Sequence, residues 1–215
     1  MLIRNNIGVV DLFCGVGGLS HGLKQGGLNI IAGFDIDKTC EYAYTHNNGA
    51  QFFDTDISKV TKEQVLSLFG DSKIKVLAGC APCQPFSSYA FKNKKKDPNK
   101  YDLLYQFGRL VEEVQPDIVT MENVPQIASF SLKNVLQDNH YHCSVKVVYC
   151  PDYGIPQTRK RLVLLASKFG DIKLISPTHS KDNYVTVKDV IGDLPPLEAG
   201  ETSDTDPLHR AKSLS

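Results

Sequence analysis

Cys83 lies between two prolines in Gly79-Cys80-Ala81-Pro82-Cys83-Gln84-Pro85-Phe86-Ser87, directly after the apolar run Ile74 to Ala78. Three chemistries fit a Cys-x-x-Cys at such a place. A zinc knuckle needs a second ligand pair, and Cys143 with Cys150, or His140 with His142, has poor spacing for one. A redox pair has suitable strand-to-turn placement, but the chain has no Trp and a glycine-rich turn elsewhere would go unexplained. The third is a lone nucleophile, Cys83, in a turn stiffened by Pro82 and Pro85, with Cys80 as packing on the buried side of the strand. A thiolate is a soft nucleophile suited to an electron-poor carbon such as carbon 6 of a pyrimidine.

Other groups could serve such a reaction. Phe13-Cys14-Gly15-Val16-Gly17-Gly18 follows the apolar run Ile7 to Leu12, and a glycine turn between strand and helix brings backbone amides close to an anionic ligand. Ser20 stands where the third glycine of a dinucleotide fingerprint would be, so the turn alone is a weak signal. Asp35 at the end of the next strand could accept both hydroxyls of a ribose, and Asp56 at the end of the third could accept an adenine amine. An adenosine-containing ligand is expected. S-adenosylmethionine is favoured over a pyrophosphate cofactor, because the third glycine is missing and no basic residue lies near the turn. Glu122, in Met121-Glu122-Asn123-Val124-Pro125, could bond N3 and the exocyclic amine of a cytosine and so withdraw electrons from carbon 6. An isolated carboxylate at a strand end is more often a cap. Gln157, Arg159 and Arg161 alternate and would share one strand face, where a guanidinium could hold a pyrimidine carbonyl and steady Glu122. On an outer face they would be solvated charges. The cluster Lys92 to Lys96, containing Lys94 and Lys95, is read first as a solvated run and second as a contact to a phosphate backbone.

Positioning these residues requires an alternating fold. Strand-like runs at Ile7 to Leu12, Leu28 to Phe34, Phe52 to Ile57, Ile74 to Ala78 and Asp117 to Met121 are separated by helical stretches, including Lys62 to Phe69 and Leu103 to Val114. Two further strands are expected at Val145 to Tyr149 and Arg161 to Ala166, and a short helix within Val185 to Ile191. Such alternation predicts an α/β, doubly wound, mostly parallel sheet with ligands beyond the carboxyl ends of the strands. Residues 1–170 are expected to form one catalytic and cofactor-binding domain, and 171–215 a linker.

At 215 residues the chain can bury a substantial core, roughly 70% of the surface the unfolded chain exposes. Its 24 basic and 24 acidic residues balance, so any nucleic-acid surface must be local. No apolar run approaches the length of a membrane span, and the N-terminus reads directly into a strand, so a soluble, cytoplasmic protein is expected. The six cysteines fit free thiols in a reducing compartment better than a disulfide scaffold.

Asp11-Leu12-Phe13-x-Gly15-x-Gly17-Gly18, Pro82-Cys83-Gln84-Pro85-Phe86-Ser87, Glu122-Asn123-Val124 and Gln157-x-Arg159-x-Arg161, in this order, resemble the DNA (cytosine-5) methyltransferases. The resemblance spans about Ile7 to Leu165. It implies a Rossmann-like methyltransferase fold that binds S-adenosylmethionine through Asp11, Phe13, Gly15, Gly17, Gly18, Asp35, Ile36, Asp56, Ile57 and Pro82. It implies catalysis by Cys83 with Glu122, Arg159 and Arg161, and DNA contacts from Gln84, Ser87, Asn123, Gln157, Lys94 and Lys95, with no metal. The implied reaction swings a cytosine out of duplex DNA, adds Cys83 to carbon 6 and yields 5-methylcytosine and S-adenosylhomocysteine, as in restriction-modification systems. Family members commonly have Glu where Asp35 stands, which costs reach toward the ribose. Pro177-Thr178-His179 and the run Val187 to Pro195 look like the family's approach to its target-recognition region, so a truncated chain or one subunit of a split enzyme, partnered by a second chain and poorly active alone, is expected. A regulatory cofactor-binding subunit and a transfer-RNA methyltransferase are the competing readings.

Overall fold

Strand and helix alternate through β1 (Ile7–Leu12), α1 (Gly18–Gln25), β2 (Asn29–Asp35), α2 (Glu41–Asn48), β3 (Gln51–Asp54), α3 (Lys62–Phe69), β4 (Ile74–Gly79), α4 (Asp102–Val114), β5 (Ile118–Asn123), α5 (Leu132–Asp138), β6 (His142–Tyr149), β7 (Lys160–Ser167) and α6 (Val187–Ile191). The computed structural model describes residues 6–82, 102–126, 132–206 and 209–214. Among them, seven strands form one sheet in the order β3-β2-β1-β4-β5-β7-β6. β1, β2, β3, β4 and β5 run parallel, and β7 lies antiparallel to β5. The expected doubly wound, mostly parallel sheet is therefore what the chain forms.

Apolar side chains on both faces of the strands dictate this layering. Val10, Leu12 and Leu77 join one core with Phe69 of α3, Phe107 and Leu110 of α4 and Leu136 of α5. The alternate positions Val9, Val76 and Ala78 join a second core with Tyr44 of α2. Period-2 alternation sends neighbours to opposite faces, so a strand apolar on both faces must be covered twice. Helix α4 shows the matching pattern: Leu104, Phe107, Leu110, Val111 and Val114 are buried at spacings of three, three, one and three. Each such side chain, fully buried, contributes about 1.5–3 kcal/mol. Where β4 ends, a Cβ on Gly79 would meet Phe107 Cε2 at 2.6 Å and the Leu12 carbonyl at 2.9 Å, so only glycine lets α4 and β1 close over this strand end.

Several elements depart from the sequence expectation for local reasons. β3 stops at Asp54 rather than reaching Ile57, because the Asp56 carboxylate accepts the Ser58 N–H at 2.9 Å and turns the chain into a 3-10 turn, Ile57–Lys59. α3 begins as expected at Lys62, with Thr61 and Gln64 forming a reciprocal capping box. The sequence pattern does not predict α5; Leu132 and Leu136 of its seven residues are buried in the core and Val135 packs against it partly buried, too short a series for a clear helical period. Gln157 and Arg159 are not on a strand. The Gln157 N–H bonds the Ile155 carbonyl and the Arg159 N–H the Gln157 carbonyl, both at 2.7 Å, so Pro156 to Arg159 is a turn and β7 starts only at Lys160.

The chain divides into two compact units. One comprises Met1–Val148 with Lys160–Ser176 and contains the parallel strands; the other comprises Tyr149–Arg159 with Pro177–Ser215. Within the second, the Asp152 carbonyl accepts the Thr178 and His179 N–H groups at 2.9 and 3.0 Å, and the Tyr184 hydroxyl donates to the Asp152 carboxylate. α6 starts on a second capping box, Thr186 with Asp189. No described helix is long and apolar enough to cross a membrane.

Candidate active site

Parallel register brings five strand ends to one edge of the sheet. Leu12 of β1 pairs with Phe34 of β2 and Gly79 of β4, Asp35 with Asp54 of β3, and Gly79 with Met121 of β5. The antiparallel β7 begins at that same edge, with Leu162 opposite Asn123. Arg161, second in its strand, therefore emerges beside Glu122, last but one in β5.

After β1 the chain turns through Phe13, whose φ of 59° is left-handed despite its side chain, and Gly15 at 50°. The Gly17 N–H bonds the Cys14 carbonyl at 2.9 Å, and the Cys14 N–H bonds Phe34 at 3.1 Å. Gly17, at φ 89°, is the N-cap of α1 and supplies no side-chain cap, so amides of the first turn are left for another acceptor. A Cβ at Gly15 or Gly18 would meet nothing within 4 Å, whereas one at Gly17 would lie 2.3 Å from Asn48 Nδ2. The turn is thus open on its outer side and closed on its inner side. Asp35 joins it to the next strand end: one carboxylate oxygen accepts the Gly15 N–H at 2.8 Å and the other the Asp37 N–H at 2.9 Å. Ile36 beside it is exposed, as is Pro82 after β4. The hydrogen bonds from Ser58 hold the Asp56 carboxyl below its usual range.

Two residues expected to touch a cofactor are placed otherwise. The Ile57 side chain is in the core, 2% exposed, leaving only its backbone for a ligand. Asp11 is fully buried beneath the turn, where Oδ2 accepts the Ser20 hydroxyl at 2.7 Å and Oδ1 has no partner within the described structure. Ser20 in turn lies 3.1 Å from the Tyr44 hydroxyl. The missing third glycine is therefore a hydrogen-bond partner for the carboxyl below it. Burial pushes Asp11 up to about 7, partly offset by the Ser20 hydrogen bonds and reinforced by the charge on Asp35.

This buried acid has a consequence for stability. Between its ordinary value of 3.8 and about 7, the folded chain holds a proton that the unfolded chain releases. Stability from this group is then full below pH 4 and is lost as pH rises to 7, a difference on the order of 4 kcal/mol. Asp11→Asn keeps an acceptor for Ser20 and removes the titration. Melting temperatures measured from pH 4 to 8 should show the native chain falling relative to this variant; parallel curves would disprove the buried-acid account.

On the other side of β1, the end of β5 carries a polar cluster. Glu122 Oε1 lies 2.5 Å from Arg161 Nε, with the two side chains 28% and 16% exposed. Such a half-buried pair holds the carboxylate more firmly than a solvated one would be held. Cys80, expected to pack on the buried side of β4, is instead exposed, because the strand ends at Gly79 and the residue after it faces outward; its Sγ lies 2.8 Å from Glu122 Oε2. Asn123, expected to face DNA, is 2% exposed: its side-chain amide donates to the Ala81 carbonyl at 3.0 Å and its oxygen accepts the Val124 N–H at 2.8 Å. It ties the exit of β4 to that of β5. All five described cysteines are thiols.

The structure thus gathers Phe13, Gly15, Gly17, Gly18, Asp35, Ile36, Asp56, Pro82, Glu122 and Arg161 at one sheet edge. Gln157 and Arg159 are exposed residues of the second unit. Cys83, Gln84, Ser87, Lys94 and Lys95 lie outside the described residues. Arg109 escaped the sequence reading: its guanidinium donates to the Ile57 and Val60 carbonyls, both at 3.1 Å, and so anchors the Asp56 turn to α4. Its pairing with Glu113 four residues on is visible in the sequence, but no motif marks its anchoring role, since the carbonyls it holds lie about 50 residues away.

The family described as C-5 cytosine-specific DNA methylase matches residues 7–211. The Type II methylase M.HgiDII of Herpetosiphon aurantiacus is 47% identical over 96% of this chain and 60% of its own length. The Type II methyltransferase M.DdeI of Desulfomicrobium norvegicum is 30% identical over 90% of this chain and 49% of its own. Among solved structures, a prophage-encoded E. coli protein, a candidate DNA modification methyltransferase, superposes with a TM-score of 0.74 at 30% identity, over 92% of this chain and 58% of that one. The chain spans about half to three fifths of the length of these relatives.

Proposed function

The chain belongs to the C-5 cytosine-specific DNA methylase family, and from that premise we propose that it carries the catalytic and cofactor-binding part of a DNA (cytosine-5) methyltransferase of the restriction-modification kind, working inside the cell on duplex DNA. Residues 1–170 would hold cofactor and catalysis, and 171–215 would form the approach to target recognition. The observation that supports this best is Glu122, held by Arg161 at the carboxyl end of β5, one strand from the exit of β4 that leads to Cys83.

The glycine turn and its neighbours fit S-adenosylmethionine. The uncapped first turn of α1 suits the carboxylate of its methionine part, and the outer side of Gly15 and Gly18 is open. Asp35 would accept ribose hydroxyls on the lone pairs its two backbone bonds leave free, Ile36 would cover an adenine face, and Asp56 would accept the adenine amine. When bound, the cofactor supplies an electrophilic methyl group on a sulfonium. Phe13 and Pro82 would line its path.

Glu122 would accept the amine of an extruded cytosine and share a proton with N3, drawing electrons from carbon 6. Arg161 would fix that carboxyl and hold the cytosine carbonyl. Cys83 would add its sulfur to carbon 6, leaving carbon 5 nucleophilic enough to take the methyl group. Loss of the carbon-5 proton then expels the thiolate and restores the aromatic ring. Asn123 acts upstream of these steps by holding the β4 exit in place.

Labelled methyl transfer, with the C-terminal part that the relatives carry supplied as a second polypeptide, tests the reading. Duplex DNA should accept label in cytosine while transfer RNA should not. Label in transfer RNA alone would reassign the substrate, and cofactor binding without transfer to either would make the chain a regulatory subunit.

A further inference from the structure

Cys80 plays no part in the steps above, yet among the described residues its thiol is one of two donors that hold their central carboxylate. Glu122 Oε2 receives the Cys80 S–H at 2.8 Å and Oε1 receives Arg161 Nε at 2.5 Å. The thiol projects from the residue after β4 and the guanidinium from β7, the two strands that flank β5. A carboxylate on a single strand rotates freely about its last bond; donors on separate oxygens, supplied from opposite sides, fix its plane.

We propose that Cys80 is a positioning residue that sets the plane in which Glu122 presents its remaining lone pairs to the base. The inference rests on Glu122 being the base-binding carboxyl. A thiol suits the task because it is a weak donor: it orients the carboxylate while leaving Oε2 able to accept an incoming amine. Its own placement is secured from both ends. The preceding Gly79 is wedged against Phe107 and the Leu12 carbonyl, and the Ala81 carbonyl that follows is held by Asn123 at 3.0 Å.

The contact and its role are tested separately, on the whole chain, with the C-terminal part that the relatives carry supplied for the methyl-transfer assays. A carboxylate accepting an S–H disfavours the thiolate, so Glu122→Gln should raise the rate of iodoacetamide alkylation at Cys80 by roughly fivefold near pH 8, assigned by fragment-ion sequencing of the peptide that also holds Cys83. An unchanged rate would remove the contact and the proposal with it. In methyl transfer to duplex DNA, Cys80→Ala should lower kcat by roughly tenfold, as expected for a misoriented reacting group, with cofactor affinity unaltered. Cys80→Ser, which restores an O–H donor on a slightly shorter bond, should recover most of that loss. In the Glu122→Gln background, Cys80→Ala should add nothing, because the group it orients has changed. Equal losses for Ala and Ser, or losses that multiply with Glu122→Gln, would overturn the positioning role. If the chain transfers no methyl group while Cys80 reactivity still follows Glu122, the assigned reaction is at fault and not the contact.

Discussion

Cys83→Ser is expected to abolish methyl transfer, lowering the rate by at least roughly four orders of magnitude while leaving cofactor binding intact. The serine hydroxyl can occupy the same volume, but it is scarcely ionised near neutral pH and is a far poorer nucleophile toward carbon 6 than a thiolate. The decisive measurement uses duplex DNA carrying 5-fluorocytosine at the target. Fluorine cannot leave carbon 5 as a proton does, so the sulfur to carbon-6 bond, once formed and followed by methylation, cannot be broken by elimination. Native chain should then migrate as a covalent protein–DNA complex on a denaturing gel, with the attached base mapped to Cys83. Cys83→Ser should give none. A complex that survives in this variant would move the nucleophile elsewhere, and a native chain that transfers methyl without ever being trapped would exclude a covalent route.

The second large effect is expected at Glu122. Glutamine in its place keeps an oxygen for the cytosine amine, and its amide can donate to N3, so the base should still bind. What it cannot do is deliver a proton to N3, the step that draws electrons from carbon 6. Single-turnover rates for Glu122→Gln should therefore fall by about two to four orders of magnitude, with DNA affinity changed little. A rate within threefold of native would show that Glu122 only fills space. Arg161→Gln offers a check on the half-buried pair seen here, whose nitrogen and oxygen are 2.5 Å apart. It should lower both the rate and the stability, since removing the cation leaves a partly buried carboxylate without its charged partner.

The two variants probe different kinds of information. Cys83 is singled out as the candidate nucleophile from the chain alone because its setting is local: two prolines, a preceding apolar strand and a polar loop. Glu122 was legible for the same reason, as a carboxylate at the end of a buried-type run. Neither inference required knowing what lies across the sheet. The pairing of Glu122 with Arg161 did, since those residues are 39 apart in the chain and meet only because β7 runs against β5, with Leu162 opposite Asn123. An antiparallel strand that begins at the edge where parallel strands end is invisible to periodicity, which reports a strand's faces and not its direction.

Where the structure departs from the sequence expectation, the origin is the same. Cys80 lies one residue past the end of a strand, where the alternation that buries Leu77 no longer applies, so its exposure could not be read from its neighbours. Asn123 sits in a motif that suggests contact with substrate, but its side-chain amide is consumed by the Ala81 carbonyl, two residues past the end of the adjacent strand. Gln157 and Arg159 alternate as strand residues do, yet Pro156 and short backbone bonds make a turn of them. Ser20 looked like a defect in a glycine fingerprint and is the partner of a buried carboxyl nine residues earlier.

Fold class and the choice of candidate reactive groups were therefore decided by short-range order: which residues are apolar at period two, where glycine permits a turn, and which reactive groups follow a strand. Those features depend on a few consecutive residues and survive any arrangement of the rest. The partners of each reactive group were decided only when the strands took their order and direction, because hydrogen bonds at 2.5 to 3 Å join the exit of β4 to β5, and β5 to β7, across gaps of about 40 residues. No local pattern encodes which distant donor will arrive there.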